Sequence, residues 1–433
     1  MSTPPAPPAA PTGSRRVLFM ATTTGYQTRM FGEAAERLGI KLVFATDRCD
    51  QLDDPWWDGA IPVRFHEDAT TVDAVVTEAQ HDRIDGILAV GDRPTVAAAY
   101  AAATLGLPGN PPDATRAARD KRLTRQRLAA AGLPSPAYRI VSRFRDPRVI
   151  APDWEWPVVV KPAVLSGSRG VIRADDRDGF VVAFERIQRL LAAADIRAMR
   201  DPSVDHVVVE QFIPGKEYAL EGVLEDGALQ TFAIFDKPDP LDGPLFEETI
   251  YVTPSQASAD VQDAIRSTIA AAARALGLRH GPVHAECRVN AKGVYVLEVA
   301  ARPIGGLCSR ALTFVGPDGV MAPLEEVLLR HACGEPVSAW TREGCASGVM
   351  MIPIPSAGIY RRVEGVERAA RTPHVYDLQI TAKPDQQLVP LPEGSSYLGF
   401  IFAKAATASA VEGALRDAHR ELKFVVDRAL PVV

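Results

Sequence analysis

The chain has 433 residues, 47% of them apolar and 24% charged, with a formal net charge of −6. That is enough apolar material for two or three packed domains. It excludes wholesale disorder, and the mild acidity gives no hint of general nucleic-acid affinity. The longest nearly uninterrupted apolar stretch, 96–107, is too short to span a bilayer, so no membrane partner is expected. Five scattered cysteines (Cys49, Cys287, Cys308, Cys333, Cys345) form no CxxC pair. That argues against a zinc ribbon or a thioredoxin-type site and fits a reduced, cytoplasmic protein. The opening MSTPPAPPAAPTGS has no charged region followed by an apolar one and reads as a disordered tail over 1–14.

Order is expected from 15 onward. Strands at 17–21, 41–46 and 84–90 alternate with helices at 29–38 and around Val72, Val75, Val76 and Ala79, the pattern of a parallel α/β sheet. An alanine-rich helix over 94–105 runs into a Pro/Gly break at 107–112, which closes a first domain, 15–112. The second region, 113–334, opens with a helix through Lys121, Leu123 and Leu128, and its strands read as pairs joined by turns: 158–161 with 171–173, 207–212 with 218–224, and 283–289 with 294–300. A helix carrying Val261, Ile265, Ile269, Ala272 and Leu276 on one stripe precedes the last pair, and 323–332 is a closing helix. The third region, 335–433, reads as a smaller α+β piece with strands at 348–354, 375–382 and 397–403.

The most informative stretch is 281–303. Taken as a hairpin with its loop at 291–293, it sets Glu286 opposite Glu298 and His284 opposite Ala300. His284, Glu286 and Arg288 then share a face with Glu298, Ala300 and Arg302. Two glutamates about 5 Å apart repel each other. A divalent ion between them removes the conflict, and Mg²⁺ suits a couple of carboxylates completed by phosphate oxygens and water. The alternatives are a solvated face that tolerates both charges, or a one-residue slip that separates them. The planar fork of Arg302 suits a phosphate or a carboxylate, against a surface ion pair. Gly305 and Gly306, before a stretch of helical character, would offer backbone N–H groups to an anion.

Neither GxxxxGK[ST] nor GxGxxG occurs, so a phosphate would be held by other means. Ser166, Gly167, Ser168 and Gly170 form a candidate flap whose small residues let N–H groups close over phosphates, against an ordinary hairpin turn. Lys161 ends an apolar run, where it either snorkels outward or points at an anion. Lys121 lies in a basic run whose usual reading is a solvated face. The segment 210–217 joins two strands and could present main-chain groups to a purine edge, with Glu217 toward ribose hydroxyls.

In chain order, Leu105-Gly-Leu-Pro-Gly-Asn110, Asp120-Lys121 with Arg125 and Leu128, the segment 131–136, Val160-Lys-Pro162 with the flap, 210–217, and Glu286, Glu298 and Arg302 resemble the ATP-grasp superfamily over roughly 17–334. The resemblance implies an α/β and α+β fold: a Rossmann-like pre-ATP-grasp domain, two lobes that clamp ATP, and a small C-terminal α+β domain. It implies that a carboxylate attacks the γ-phosphate of ATP to give an acyl phosphate and ADP, and that an amine then displaces phosphate. By position, Lys121 and Lys161 would contact phosphates under the 166–170 flap. Glu210, with Gln211, Phe212 and Ile213, would meet adenine, and Glu217 the ribose. Glu286 and Glu298 would carry Mg²⁺, with Mn²⁺ as the alternative ion. Arg302 with Gly305 and Gly306 would hold the acyl phosphate or the substrate carboxylate.

One departure stands out: the usual Glu-x-Asn is Glu298-Val-Ala300, so an asparagine ligand is missing. Glu248 is the candidate replacement near metal or substrate, and His284 the candidate to stabilise the transferring phosphorus. His284-Ala-Glu-Cys-Arg288, Glu298-Val-Ala-Ala-Arg302 and the size of the C-terminal piece are most similar to L-amino-acid ligases and biotin-carboxylase-like proteins. The implied activity is an ADP-forming carboxylate–amine ligase acting on small-molecule acids and amines, and the resemblance admits a homodimer. The competing readings are a carboxylase-like or formyl-phosphate-using ATP-grasp enzyme, and an ATP-binding sensor or scaffold without catalysis.

Overall fold

The computed structural model describes residues 14–22, 26–47, 60–151, 153 and 155–428. The expected tail up to residue 13, and Cys49, lie outside the described residues.

The first sheet is parallel, in the order Ala60–Pro62, Lys41–Thr46, Arg16–Ala21, Gly86–Val90. Its central strand is apolar throughout because both faces are covered. Val17 and Phe19 pack with Phe31 and Ala34 on one side, while Leu18 and Met20 pack with Val75, Ala97 and Ala101 on the other. The strand Gly86–Val90 ends at Gly91-Asp92, at the carboxyl edge where open α/β sheets bind ligands.

A four-stranded antiparallel sheet forms a lid, in the order Tyr138–Ser142, His206–Gln211, Val158–Pro162, Ile172–Ala174. The helix Arg177–Leu191 backs it with a buried stripe of Phe180, Ala183, Phe184, Ile187, Leu190 and Leu191. Asp176 caps that helix, accepting from the Gly179 N–H at 2.7 Å.

The largest sheet has eight antiparallel strands: Gly293–Ala300, Gly281–Asn290, Lys216–Glu225, Ala228–Asp236, Ile250–Thr253, Ala346–Ile352, Gly399–Ala405 and Val375–Ile380. The helix Ala259–Leu276 buries Ile265, Ile269, Ala272, Ala273 and Leu276 against it. No helix among the described residues is long and apolar enough to cross a membrane.

Three expectations are corrected here. The strands near 207–212 and 218–224 do not pair: His206–Gln211 belongs to the lid and Lys216–Glu225 to the large sheet. The connector between them, with Pro214, which has no N–H to donate, and Gly215 at φ +128°, passes from one sheet to the other. Of the strands beyond 335, Ala346–Ile352, Val375–Ile380 and Gly399–Ala405 extend the large sheet, while Gly358–Glu364, Gln387–Leu388 and Lys423–Asp427 form a small antiparallel sheet. The hairpin turn is the two residues Ala291 and Lys292, with Gly293 already paired to Asn290. After Gly306 comes only a 3₁₀ turn, Cys308–Ala311, so no helix dipole supports an anion there.

Candidate active site

The lid, the large sheet and the C-terminal edge of the first sheet enclose a cleft of about 380 Å³. Every candidate catalytic, nucleotide, metal or substrate residue named from the sequence lines it except Gly170. At Gly170 a Cβ would stand 2.8 Å from Pro162 and 2.9 Å from Leu190.

At one end, Lys161 sits on the middle of the lid sheet and reaches Glu210 Oε2 at 2.7 Å. Arg125 holds the same carboxylate through Nε at 2.7 Å and Nη2 at 3.2 Å. Burial lowers the Lys161 ammonium to about 8, against the pull of Glu210. Burial also works against the Glu210 charge, but Arg125 and Lys161 keep it below the usual carboxylate range. Lys121 is buried rather than solvated. Its Nζ donates to the Leu165 carbonyl of the flap at 2.8 Å and lies 3.4 Å from Glu298 Oε2.

The connector's hydrogen bonds define what it can offer a ligand. The Gln211 N–H is taken by the Ala137 carbonyl and the Ile213 carbonyl by Arg288, both at 2.9 Å. That leaves the Ile213 N–H, which no backbone carbonyl among the described residues takes, as a donor the connector can present. Phe212 lies beside Phe246 with the rings tilted and their centres 6.4 Å apart, and the Arg288 guanidinium is 4.9 Å from the Phe212 ring centre. Glu217 accepts from Lys237 at 2.9 Å and from Arg288 at 2.9 Å.

The other end is acidic. Glu286 does face Glu298, although the two-residue turn alone would set it against Leu297. An irregularity after Glu286, where Cys287 pairs with Val296, skips Leu297 and restores the register. Lys237, from the end of Ala228–Asp236, places its ammonium 2.9 Å from Glu217, 2.5 Å from Glu248 and 2.9 Å from Glu286. The Tyr251 hydroxyl donates to Glu248 at 2.6 Å. Burial raises Glu248 to about 7 despite Lys237. Burial works against Glu286 as well, yet Lys237 and His284 hold it well below the usual range.

His284 Nδ1 lies 3.1 Å from Glu221 Oε2, and its Nε2 lies 3.7 Å from Glu286, an electrostatic contact rather than a hydrogen bond. The two partners pull apart: burial raises Glu221, while burial of His284 is outweighed by Glu221 and Glu286, which raise the imidazole to about 9. Geometry favours the ion pair, because Glu221 also accepts the Ile304 N–H at 3.0 Å and such bonds stabilise a carboxylate. Arg302 is held two-pronged by Asp92 from the first sheet, at 2.8 and 3.4 Å.

Glu217, Glu248 and Glu286 bring carboxylate oxygens within 4.8 Å of one another, a hard, all-oxygen donor set that fits Mg²⁺, and Glu298 stands outside this cluster, facing Glu286 across the hairpin. Ala300 adds no ligand and stands opposite His284. Asp92, Glu221, Lys237 and Tyr251 were not singled out from the sequence. Signals existed for three of them. Asp92 follows a strand's carboxyl end, Glu221 interrupts the apolar run 218–224, and Lys237 closes the apolar run 232–235 after Asp236.

Residues 32–109 match the ATP-grasp N-terminal domain, 154–311 the ATP-grasp domain, and 350–427 the L-amino acid ligase C-terminal domain 2. An L-amino acid ligase from Bacillus licheniformis superposes with a TM-score of 0.81 at 26% identity, over 96% of this chain and 99% of that one. Among curated proteins, the uncharacterized protein y4rH of Sinorhizobium fredii is 26% identical over 95% of this chain and 83% of its own length. The alanine–anticapsin ligase of Bacillus amyloliquefaciens is 26% identical over 50% of this chain. That match spans 48%, about half, of the ligase's own length.

Proposed function

Because the chain is an ATP-grasp protein whose C-terminal part matches the L-amino acid ligase domain, we propose that it is an ADP-forming carboxylate–amine ligase. Its acid is an amino acid or a related compound. The observation that carries this reading is the gathering, in one cleft, of three cationic side chains (Lys121, Lys161, Arg302) with the facing pair Glu286 and Glu298.

In this mechanism Lys121, Lys161 and the flap hold the transferring phosphates. Glu286 and Glu298 hold Mg²⁺, which when bound neutralises charge on the phosphoryl oxygens. A substrate carboxylate oxygen attacks the γ-phosphorus. The bond from that phosphorus to the β–γ bridging oxygen breaks, and ADP is released from the acyl phosphate. Arg302, its fork oriented by Asp92, holds the acyl phosphate beside Gly305 and Gly306. The amine nitrogen attacks the acyl carbon, the carbon–oxygen bond breaks to release phosphate, and the amine gives up a proton. Glu248, half-buried and raised to about 7, is suited to take that proton. The flap and residues 395–397 shield the acyl phosphate from water.

The test is ADP release with MgATP and the twenty L-amino acids, singly and in pairs, with bicarbonate and formate as further arms. ADP formation that needs both an acid and an amine, with the amide detected by mass spectrometry, supports the ligase. Dependence on bicarbonate or formate replaces it with carboxylase-like or formyl-phosphate chemistry. Tight ATP binding without turnover under every pairing makes the chain a nucleotide sensor.

A further inference from the structure

We propose that Glu221 is a positioning residue that fastens His284 and the 302–306 loop to one another at the acyl-phosphate end of the cleft. The proposal rests on the reading of that loop as the holder of the acyl phosphate.

Glu221 lies in the strand Lys216–Glu225, directly across from His284 in the neighbouring strand, and is 0% exposed. A carboxylate in that environment is costly unless its oxygens are paired. Both are: Oε2 takes His284 Nδ1 at 3.1 Å and Oε1 takes the Ile304 N–H at 3.0 Å. Each oxygen therefore holds a different element of the site.

The second bond matters because of the peptide to which it is made. Pro303 has no N–H, so Ile304 carries the first donor after Arg302. The same peptide unit presents the Pro303 carbonyl, and that carbonyl accepts from Arg302 Nη1 at 3.1 Å. Glu221 thus fixes one end of a peptide plane whose other end steadies the Arg302 guanidinium, while Asp92 grips the fork from the opposite side. Gly305, next in the chain, opens onto free space, and Gly306 follows in the left-handed region at φ +63°. The orientation of the 303–304 peptide therefore governs how the loop enters the cleft. The first bond sets the His284 ring, leaving Nε2 on the side of Glu286. The nucleotide end is built on other contacts, those of Lys161, Glu210 and the 211–213 connector, and none of these runs through Glu221.

The experiment titrates the full-length chain with MgADP, and then titrates the MgADP-saturated chain with inorganic phosphate, which stands in for the phosphoryl group without requiring a known acid. Glu221→Asp keeps the charge but is one methylene too short to reach both partners. It should weaken phosphate binding about tenfold, the loss of one bond to a charged acceptor, while ADP affinity stays within about twofold. Glu221→Gln keeps an acceptor for the Ile304 N–H at full length and should restore most of the phosphate affinity. Parallel losses of ADP and phosphate affinity would mark a merely structural role and overturn the proposal, as would Asp and Gln variants that behave alike. If the wild-type chain with MgADP shows no phosphate binding, the reading of the 302–306 loop fails and the proposal falls with it. Wild-type binding that survives Glu221→Asp overturns the role of Glu221 alone.

Discussion

Arg186 on the lid helix and Glu393 in the middle of the C-terminal region form a two-pronged ion pair, Nε to Oε1 at 2.5 Å and Nη2 to Oε2 at 2.8 Å. The same stretch takes the flap by its backbone. The Glu393 carbonyl accepts from Arg169 at 2.7 Å, and the Gly170 N–H donates to the Pro392 carbonyl at 2.9 Å. The 166–170 loop is therefore latched by residues more than two hundred positions away.

Glu393→Ala removes the charged part of that latch and leaves the backbone bonds. Arg186 and Glu393 are 41% and 39% exposed, so the pair is worth about 1 kcal/mol or less. MgADP affinity should fall by no more than about fivefold. Half-molar salt should weaken wild-type binding more than that of the variant, since screening acts on the pair. Calorimetric titration at low and high salt reads both effects. A loss of a hundredfold would mean that the carboxylate touches the nucleotide itself.

The lowered pKa of Lys161 gives a pH dependence with a definite sign. Free enzyme loses this cation as pH rises through about 8. The value of kcat/KM for ATP should therefore decline above that pH, because this ratio reports the free enzyme. Stability runs the other way. The folded pKa lies below the ordinary lysine value, so the unfolded chain binds more protons in between, and this group's contribution to stability rises from about pH 8 toward 10.5. In Lys161→Met, kcat/KM for ATP should be lower at pH 7 and show no step near pH 8. A wild-type profile flat to pH 9.5 would contradict the assignment.

What could be read from the sequence were features of period two or of local turn chemistry. The faces of 281–290 and 293–300 follow from alternation, and the cleft contains His284, Glu286, Glu298 and Arg302 as that pattern requires. The expected pairing of Glu286 with Glu298 holds through two compensating departures, a shorter turn and a skipped Leu297, neither of which alternation reveals. Contacts that join distant segments were not legible. Lys237 meets three glutamates from three other segments, and Asp92 reaches Arg302 across 210 residues of chain. Nor did local sequence distinguish a turn within one sheet from a passage between two, because Pro214 and Gly215 suit either.

Gly215 marks that passage and can be tested directly. Its φ of +128° is unfavourable for an L side chain, and a Cβ would stand 2.3 Å from the Val289 carbonyl oxygen, a backbone atom that cannot swing away. Gly215→Ala should lower stability by about 1–3 kcal/mol, the usual scale of such strain. Because the connector also carries Ile213 and leads to Glu217, MgADP affinity should fall with it. Denaturant unfolding and ADP titration of the same preparation measure the two effects. Unchanged stability would show that the backbone relaxes without strain.

The metal assignment makes unequal demands on the two facing glutamates. Glu286 already shares Oε1 with Lys237 and stands near His284, so part of its charge is neutralised by the protein itself. Glu298 meets Lys121 only at 3.4 Å, with the Arg302 charge acting on it from farther off. Glu298 is thus the freer ligand, and its loss leaves Glu286 with a protein cation in place of a facing partner. Glu298→Ala should reduce ADP formation by about a hundredfold or more at saturating Mg²⁺, the scale seen when a group stabilising transition-state charge is removed. Mn²⁺ titration in the presence of ADP, followed by electron paramagnetic resonance, separates this from misfolding: the wild-type chain should take up the ion and Glu298→Ala should not, while thermal unfolding of the two remains similar. Chelation by EDTA should abolish wild-type turnover, and added Mg²⁺ should restore it. Mn²⁺ uptake that survives Glu298→Ala would move the ion to the Glu217, Glu248 and Glu286 cluster and require Lys237 to leave it.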